Sequence, residues 1–124
     1  MTNFKTTEVG TMNDIAINFE NGKAFLHDLL GLTGCEISVS LMPAGVKLPF
    51  SHKHKQNEEI YIFLKGQGIM ILDNEIVSVK EGSCVKVLPE AVRSMEAKTD
   101  LQYICVQAKC ESLEQFGFGD AELC

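Results

Sequence analysis

His52 and His54 stand two residues apart in the stretch Gly45 to Gly68, GVKLPFSHKHKQNEEIYIFLKGQG, which holds all but one of the chain's three histidines. In an extended strand that spacing turns both imidazoles to one face of a sheet, where their nitrogens can share a ligand. Five residues after His54, Glu59 opens the run Glu59-Ile60-Tyr61-Ile62-Phe63-Leu64. Its β-branched and aromatic residues favour a strand, which Lys65-Gly66-Gln67-Gly68 closes. A strand, a polar turn through Lys55-Gln56-Asn57 and a second strand would bring Glu59 beside the histidines. Two imidazoles and one carboxylate with open positions suit non-haem iron, and equally manganese, nickel or zinc. A polar surface hairpin with its histidines in solvent fits the same stretch, because Lys53 and Lys55 lie within it and short motifs also occur by chance.

Short strands must position these side chains. From Gly34 the pattern has period two, with Cys35, Ile37, Val39 and Leu41 apolar and Glu36, Ser38 and Ser40 polar, which predicts a half-buried strand ending at the turn Pro43-Ala44-Gly45. Ile69 to Leu72, a turn at Asp73-Asn74 and Ile76 to Val79 predict a hairpin. Cys84 to Leu88, Ala91 to Ala97 and Leu101 to Ala108 follow as further strands. Such elements, with almost no helix between them, indicate an antiparallel sandwich or barrel. Before them, residues 1 to 21 alternate weakly and suggest an arm or edge strand. Lys23 to Leu30 has Phe25, Leu26, Leu29 and Leu30 on one face of a short helix ending at Gly31. His27 within it is expected at the surface. Glu111 to Phe116 suggests one helical turn, followed by a tail whose Phe116 and Phe118 need burial.

The spacing Gly45, His52, His54, Glu59, Gly66 resembles the first motif of the cupins. Four residues separate His54 from Glu59 and six separate Glu59 from Gly66, both within the family pattern. Six separate Gly45 from His52, where about five are usual. The stretch Glu81 to Ser94, EGSCVKVLPEAVRS, is similar to the second motif, and counting from Gly82 puts Arg93 at the position of that motif's histidine. Leu88 stands where the motif has proline, and Glu90 where it has glycine. The resemblance covers roughly residues 33 to 108. It implies an all-β fold, a double-stranded β-helix or jelly-roll barrel with one short N-terminal helix. The arm and helix would occupy residues 1–32, the barrel 33–110 and a C-terminal tail 111–124, within a single domain. It also implies metal ligands His52, His54 and Glu59, with Glu58 as the rival carboxylate on the opposite strand face and the spacing to Gly66 favouring Glu59. Tyr61 and Phe63, on the face of Glu59, would line the substrate pocket.

In metal-binding cupins the second-motif histidine is usually a third imidazole ligand, and a protonated guanidinium cannot replace it. Arg93 either reaches into the barrel mouth and holds a substrate carboxylate or phosphate, or pairs with Glu58, Glu90 or Glu96 on the rim. Cupins of this size include dioxygenases, isomerases, epimerases and decarboxylases. The resemblance therefore implies a metal-binding protein that acts on or binds a small, anionic metabolite, with dioxygenase- or isomerase-type chemistry open to it. In the isomerase case Glu58, Glu59 or Tyr61 would move the proton. The alternatives are a non-catalytic cupin that holds a sugar or anion without metal, and a role in which Ile60, Ile62 and Leu64 form a dimer face. A homodimer is compatible with each and is expected.

Composition narrows the partners. With 124 residues, 45% hydrophobic and 23% charged, the chain suits one folded domain. A net charge of −6 argues against nucleic acid and anionic membranes, which reward clustered Lys and Arg. No run approaches the ~20 apolar residues of a membrane span, and residues 1 to 20 lack the apolar stretch of a secretory signal. The five cysteines form no C-x-x-C pair and suggest reduced thiols, mostly buried, in a cytoplasmic protein.

Overall fold

Alternation along the strands decides the two layers. In Asn57–Lys65 (β3) the side chains of Glu59, Tyr61 and Phe63 are buried, while Glu58, Ile60, Ile62 and Leu64 between them are half-buried on the outer face. The computed structural model describes residues 3–124, so the first two residues of the expected arm lie outside the described residues. Lys23–Phe25 (β1), Glu36–Met42 (β2), Leu101–Lys109 (β8) and Cys84–Val87 (β6) join β3 in a five-stranded sheet of order β1-β2-β8-β3-β6. Gln67–Leu72 (β4), Glu75–Lys80 (β5) and Arg93–Ala97 (β7) form the second sheet, in order β5-β4-β7. All pairings are antiparallel, and Phe63, Met70, Met95, Leu101 and Tyr103 pack between the layers. This is the expected jelly roll. The predicted hairpin is present, with Asp73 and Asn74 both at positive φ in its two-residue turn, the conformation such turns require.

The N-terminal third departs from expectation. Met12–Asn18 forms a helix (α1) in place of an arm or edge strand. Thr11 and Asp14 cap it reciprocally, the Asp14 amide donating to Thr11 Oγ1 at 3.3 Å and the Thr11 amide to Asp14 Oδ2 at 2.8 Å. One fully buried residue, Ile15, docks it. The second helix is confined to Leu26–Leu30 (α2) and ends, as expected, at Gly31 in the left-handed conformation. Lys23–Phe25 leave that predicted helix because they pair with Ser38–Ser40 of β2 as a strand. His27 is exposed beside Asp28, as expected.

At the other end, no helical turn forms over residues 111–116, where Glu111 takes φ 64 and breaks the right-handed path. Of the cysteines only Cys105 is buried, whereas Cys84 and Cys124 are exposed. Among the described residues no helix is long and apolar enough to cross a membrane.

Candidate metal centre

One irregular connection, between β2 and β3, carries both histidines onto the barrel. The chain from Val46 to His52 runs antiparallel to β7, with the Leu48 amide donating to Met95 O at 3.0 Å. His52 exchanges two backbone hydrogen bonds with Arg93, at 3.1 and 2.9 Å. The His54 amide donates to Pro89 O at 3.0 Å. The histidine stretch is thus stitched to the second-motif stretch by backbone bonds, and its side chains meet Glu59 coming from β3. The two imidazole rings lie 5.2 Å apart, nearly perpendicular. One nitrogen of each and a Glu59 oxygen fall within 4.8 Å of one another.

Glu59 is the hub of this cluster. Its Oε1 accepts from the Tyr61 hydroxyl at 2.8 Å and from Arg93 Nη1 at 2.7 Å. Its Oε2 accepts from the Cys105 thiol at 3.4 Å and lies 3.3 Å from His54 Nε2, off the line of a hydrogen bond. Burial alone would raise its pKa, but the hydrogen bonds from Tyr61 and Arg93 and the nearby His54 outweigh it and hold the carboxyl below its ordinary 4.5. Burial pushes the Cys105 thiol up to about 12 and the Tyr61 hydroxyl further above its ordinary range, both helped by the Glu59 charge, so each stays protonated. Burial also lowers His52, with His54, Arg93 and Lys23 adding to the effect against Glu59, and keeps that imidazole neutral.

Arg93 is only 1% exposed and pairs with neither Glu58, Glu90 nor Glu96. Its remaining donors turn to the altered second motif, where Nη2 reaches the carbonyls of Leu88, Pro89 and Ala91 at 2.8, 3.1 and 2.8 Å and Nε reaches Ala91 at 3.2 Å. Nearly all of its hydrogen-bonding capacity is therefore spent inside the protein. Arg93 and Glu59 cancel in charge, leaving two imidazoles beside one carboxylate oxygen.

The residues fit a cation at one point in particular. His52 Nδ1 and His54 Nε2 are buried and have no hydrogen-bond partner. Leaving such a group unsatisfied costs roughly 1–3 kcal/mol, and a metal ion would occupy both lone pairs. A cavity of about 150 Å³ adjoins them, with Tyr61, Met70, Met95 and Cys105 in its walls.

A crystal structure of a cupin protein from Bacteroides fragilis is 33% identical to this chain, covers 100% of it and 99% of its own chain, and superposes with a TM-score of 0.87. The chain belongs to the cupin family. An uncharacterised protein of Methanocaldococcus jannaschii is 31% identical over 87 residues, which are 70% of this cupin. The match spans 66% of that relative's length. A Thermotoga maritima protein described as a predicted oxalate decarboxylase is 27% identical over 59% of this cupin and 64% of its own chain, with a TM-score of 0.56. No family model matches the sequence.

In this cupin, then, His52, His54, Glu59, Tyr61 and Arg93 come together around one cavity, while Phe63 lies below it in the core, its ring stacked 6.5 Å from that of Tyr61. Cys105 belongs to no motif in the sequence. Period two along β8 places it on the inner face with Leu101 and Tyr103, a signal the sequence carries without showing what it meets.

Proposed function

We propose that this cupin holds one divalent transition metal (iron, manganese, nickel or zinc) through His52, His54 and Glu59, and a small anionic metabolite beside it. The observation that carries this reading is the pair of buried, unpartnered imidazole nitrogens next to Glu59. When bound, the ion supplies Lewis-acid charge and a point of attachment. Arg93 and Tyr61 hold Oε1 and leave Oε2 turned toward the histidines. Tyr61 and Cys105 keep their protons and serve as donors, and the apolar side chains of Met70 and Met95 limit water. Because Arg93 already neutralises Glu59, a bound dication would leave an excess of positive charge and favour an anion. A cavity of about 150 Å³ holds roughly five water volumes, enough for a compact carboxylate of the kind named for the Thermotoga relative. In this reading Tyr61 borders the substrate, Phe63 supports Tyr61 from below, and Arg93 acts on the substrate through Glu59. Free cysteines suit a reducing, cytoplasmic setting, and in this reading the single-domain cupin works as a homodimer.

The buried Arg93–Glu59 pair also favours a second reading, a metal-free cupin that captures a small anion or sugar without catalysis, since the guanidinium charge opposes a nearby cation. Elemental analysis of protein purified without an affinity tag, beside His52→Ala and His54→Ala, separates the two. About one metal per chain is expected in the parent, with most of it lost in either variant while the circular dichroism spectrum persists. Full stoichiometry in the variants would sink the ligand assignment. No metal in the parent after incubation with each candidate ion would leave the metal-free reading, which calorimetric titration of small carboxylates into chelator-treated protein then examines.

A further inference from the structure

The two sheets leave a seam. β1 ends the five-stranded sheet, and the segment from Val46 to His52, paired on one side with β7, lies at the edge of the other. Between these edges runs a second cavity of about 620 Å³, several times the volume of the one beside the histidines. Its walls are mostly apolar, with Phe25, Val46 and Phe50 all substantially exposed. Lys23 and Lys47 give it positive charge, offset by Glu20 alone among its lining residues. Four residues, Lys23, Phe25, Leu48 and Tyr103, also line the candidate metal centre.

The C-terminal segment has the complementary character. Leu113, Phe116, Phe118 and Leu123 are between 74% and 95% exposed. Scattered single apolar residues on a surface need no explanation, but four on one short segment do. Phe116 and Phe118, separated by Gly117, share one face when the chain is extended. After Lys109 the chain has no basic residue and carries Glu111, Glu114, Asp120 and Glu122. An acidic, aromatic segment, irregular but for a turn over residues 117–120, thus lies exposed on its own subunit, and a basic, apolar seam has no side chains filling it.

The two are distant within one subunit. The tail leaves β8 beyond Lys109, where the Cys110 amide donates to Gln56 O at 2.9 Å. Tyr103, in the wall of the seam, is six residues back along β8, roughly 20 Å away at strand rise. A second subunit running the opposite way would bring its seam to the tail without that return.

We propose that the C-terminal segment around Phe116 and Phe118 of one copy fills the seam of a second copy, in a homodimer with reciprocally exchanged tails. The two phenylalanines enter between Phe25 and Phe50, and Glu114, Asp120 and Glu122 meet Lys23 and Lys47. Because the seam shares walls with the candidate centre, the partner's tail completes the enclosure of that site. The exchange does not depend on whether a metal binds there.

Light scattering on the eluting protein tests the assembly. The full chain is expected at twice the subunit mass. A chain ending at Cys110 and the full-length double variant Phe116→Ser/Phe118→Ser are both expected at the subunit mass. The double variant keeps the test informative if the shortened chain does not fold. Crosslinking tests the placement, in a background with Cys84→Ser and Cys124→Ser. Mixing chains carrying Val46→Cys with chains carrying Phe118→Cys should give a disulfide-linked pair on oxidation. A monomeric parent at all concentrations would overturn the proposal. So would a dimer that survives in the double variant, which would assign the contact to the outer sheet face around Ile60 and Ile62. A chain bearing both cysteines that links only to itself would mean that the tail folds back on its own subunit.

Discussion

Arg93→Leu is expected to lower the stability of the metal-free protein by about 3–5 kcal/mol at neutral pH, the loss found when one partner of a buried ion pair is removed. Glu59 is 4% exposed and Arg93 1%, so the orphaned carboxylate stays shielded from bulk solvent. The carbonyls of Leu88, Pro89 and Ala91 lose their donor at the same time. Urea unfolding in the presence of a chelator measures the effect. A loss near 1 kcal/mol or less would mean that the pair behaves as an exposed one.

The same pair fixes a pH signature. In the parent the folded-state pKa of Glu59 lies below its ordinary 4.5, so its contribution to stability is present above that value and fades as pH falls through the lower, folded one. In Arg93→Leu the buried, unpaired carboxylate prefers its neutral form, so acid relieves it. The stability gap between parent and variant should therefore begin to narrow above the ordinary carboxylate range and go on narrowing as pH falls through and below it. Arg93→Leu/Glu59→Gln, which removes the stranded charge, should recover part of the loss at pH 7. A gap independent of pH would place the damage in the loop carbonyls and not in Glu59.

Arg93 illustrates where the sequence stops being legible. Counting from Gly82 puts it at the position of the motif's histidine, and the structure sets its side chain against Glu59. Its partner lies 34 residues earlier and in the other sheet, on β3 against β7. Only the packing of the two layers brings them together. Glu59, by contrast, was legible because period two on β3 sets it on the opposite face from Glu58 and the six-residue spacing to Gly66 chooses between the two. The same rule put Phe63 on the correct face but says nothing of depth along the barrel, and depth takes Phe63 out of the cavity. The N-terminal region was misread for a different reason. A single buried residue, Ile15, docks α1, so no apolar stripe announces it, and the usable signal was the cap formed by Thr11 and Asp14. β1 has three residues, too few for any period to register.

Gly66→Ala is expected to cost about 2–5 kcal/mol, and Gly45→Ala about 1–2, although both glycines belong to the same motif and both have positive φ. At Gly45, φ is +81 and a Cβ would meet nothing within 4 Å, so only the backbone preference is lost. At Gly66, φ is +92 and a Cβ would collide with the carbonyl oxygen of Asp100. That carbonyl cannot easily yield. The Gln67 amide donates to Thr99 Oγ1 at 2.9 Å, Gln67 O accepts from the amides of Lys98 and Thr99 at 2.9 and 3.1 Å, and the Ala44 amide donates to Asp100 Oδ1 at 2.8 Å. The loop from 98 to 100 is thereby pinned against the turn that Gly66 makes between β3 and β4. Relief must come from the strands, most readily at the register shift between Phe63 and Lys65. A shift there propagates along β3 toward Tyr61 and Glu59. In the metal-binding reading proposed above, Gly66→Ala should consequently weaken metal retention as well as stability, while Gly45→Ala lowers stability alone. Equal stability losses in the two variants would mean that the clash relaxes locally and that the glycine after β3 serves only its own turn.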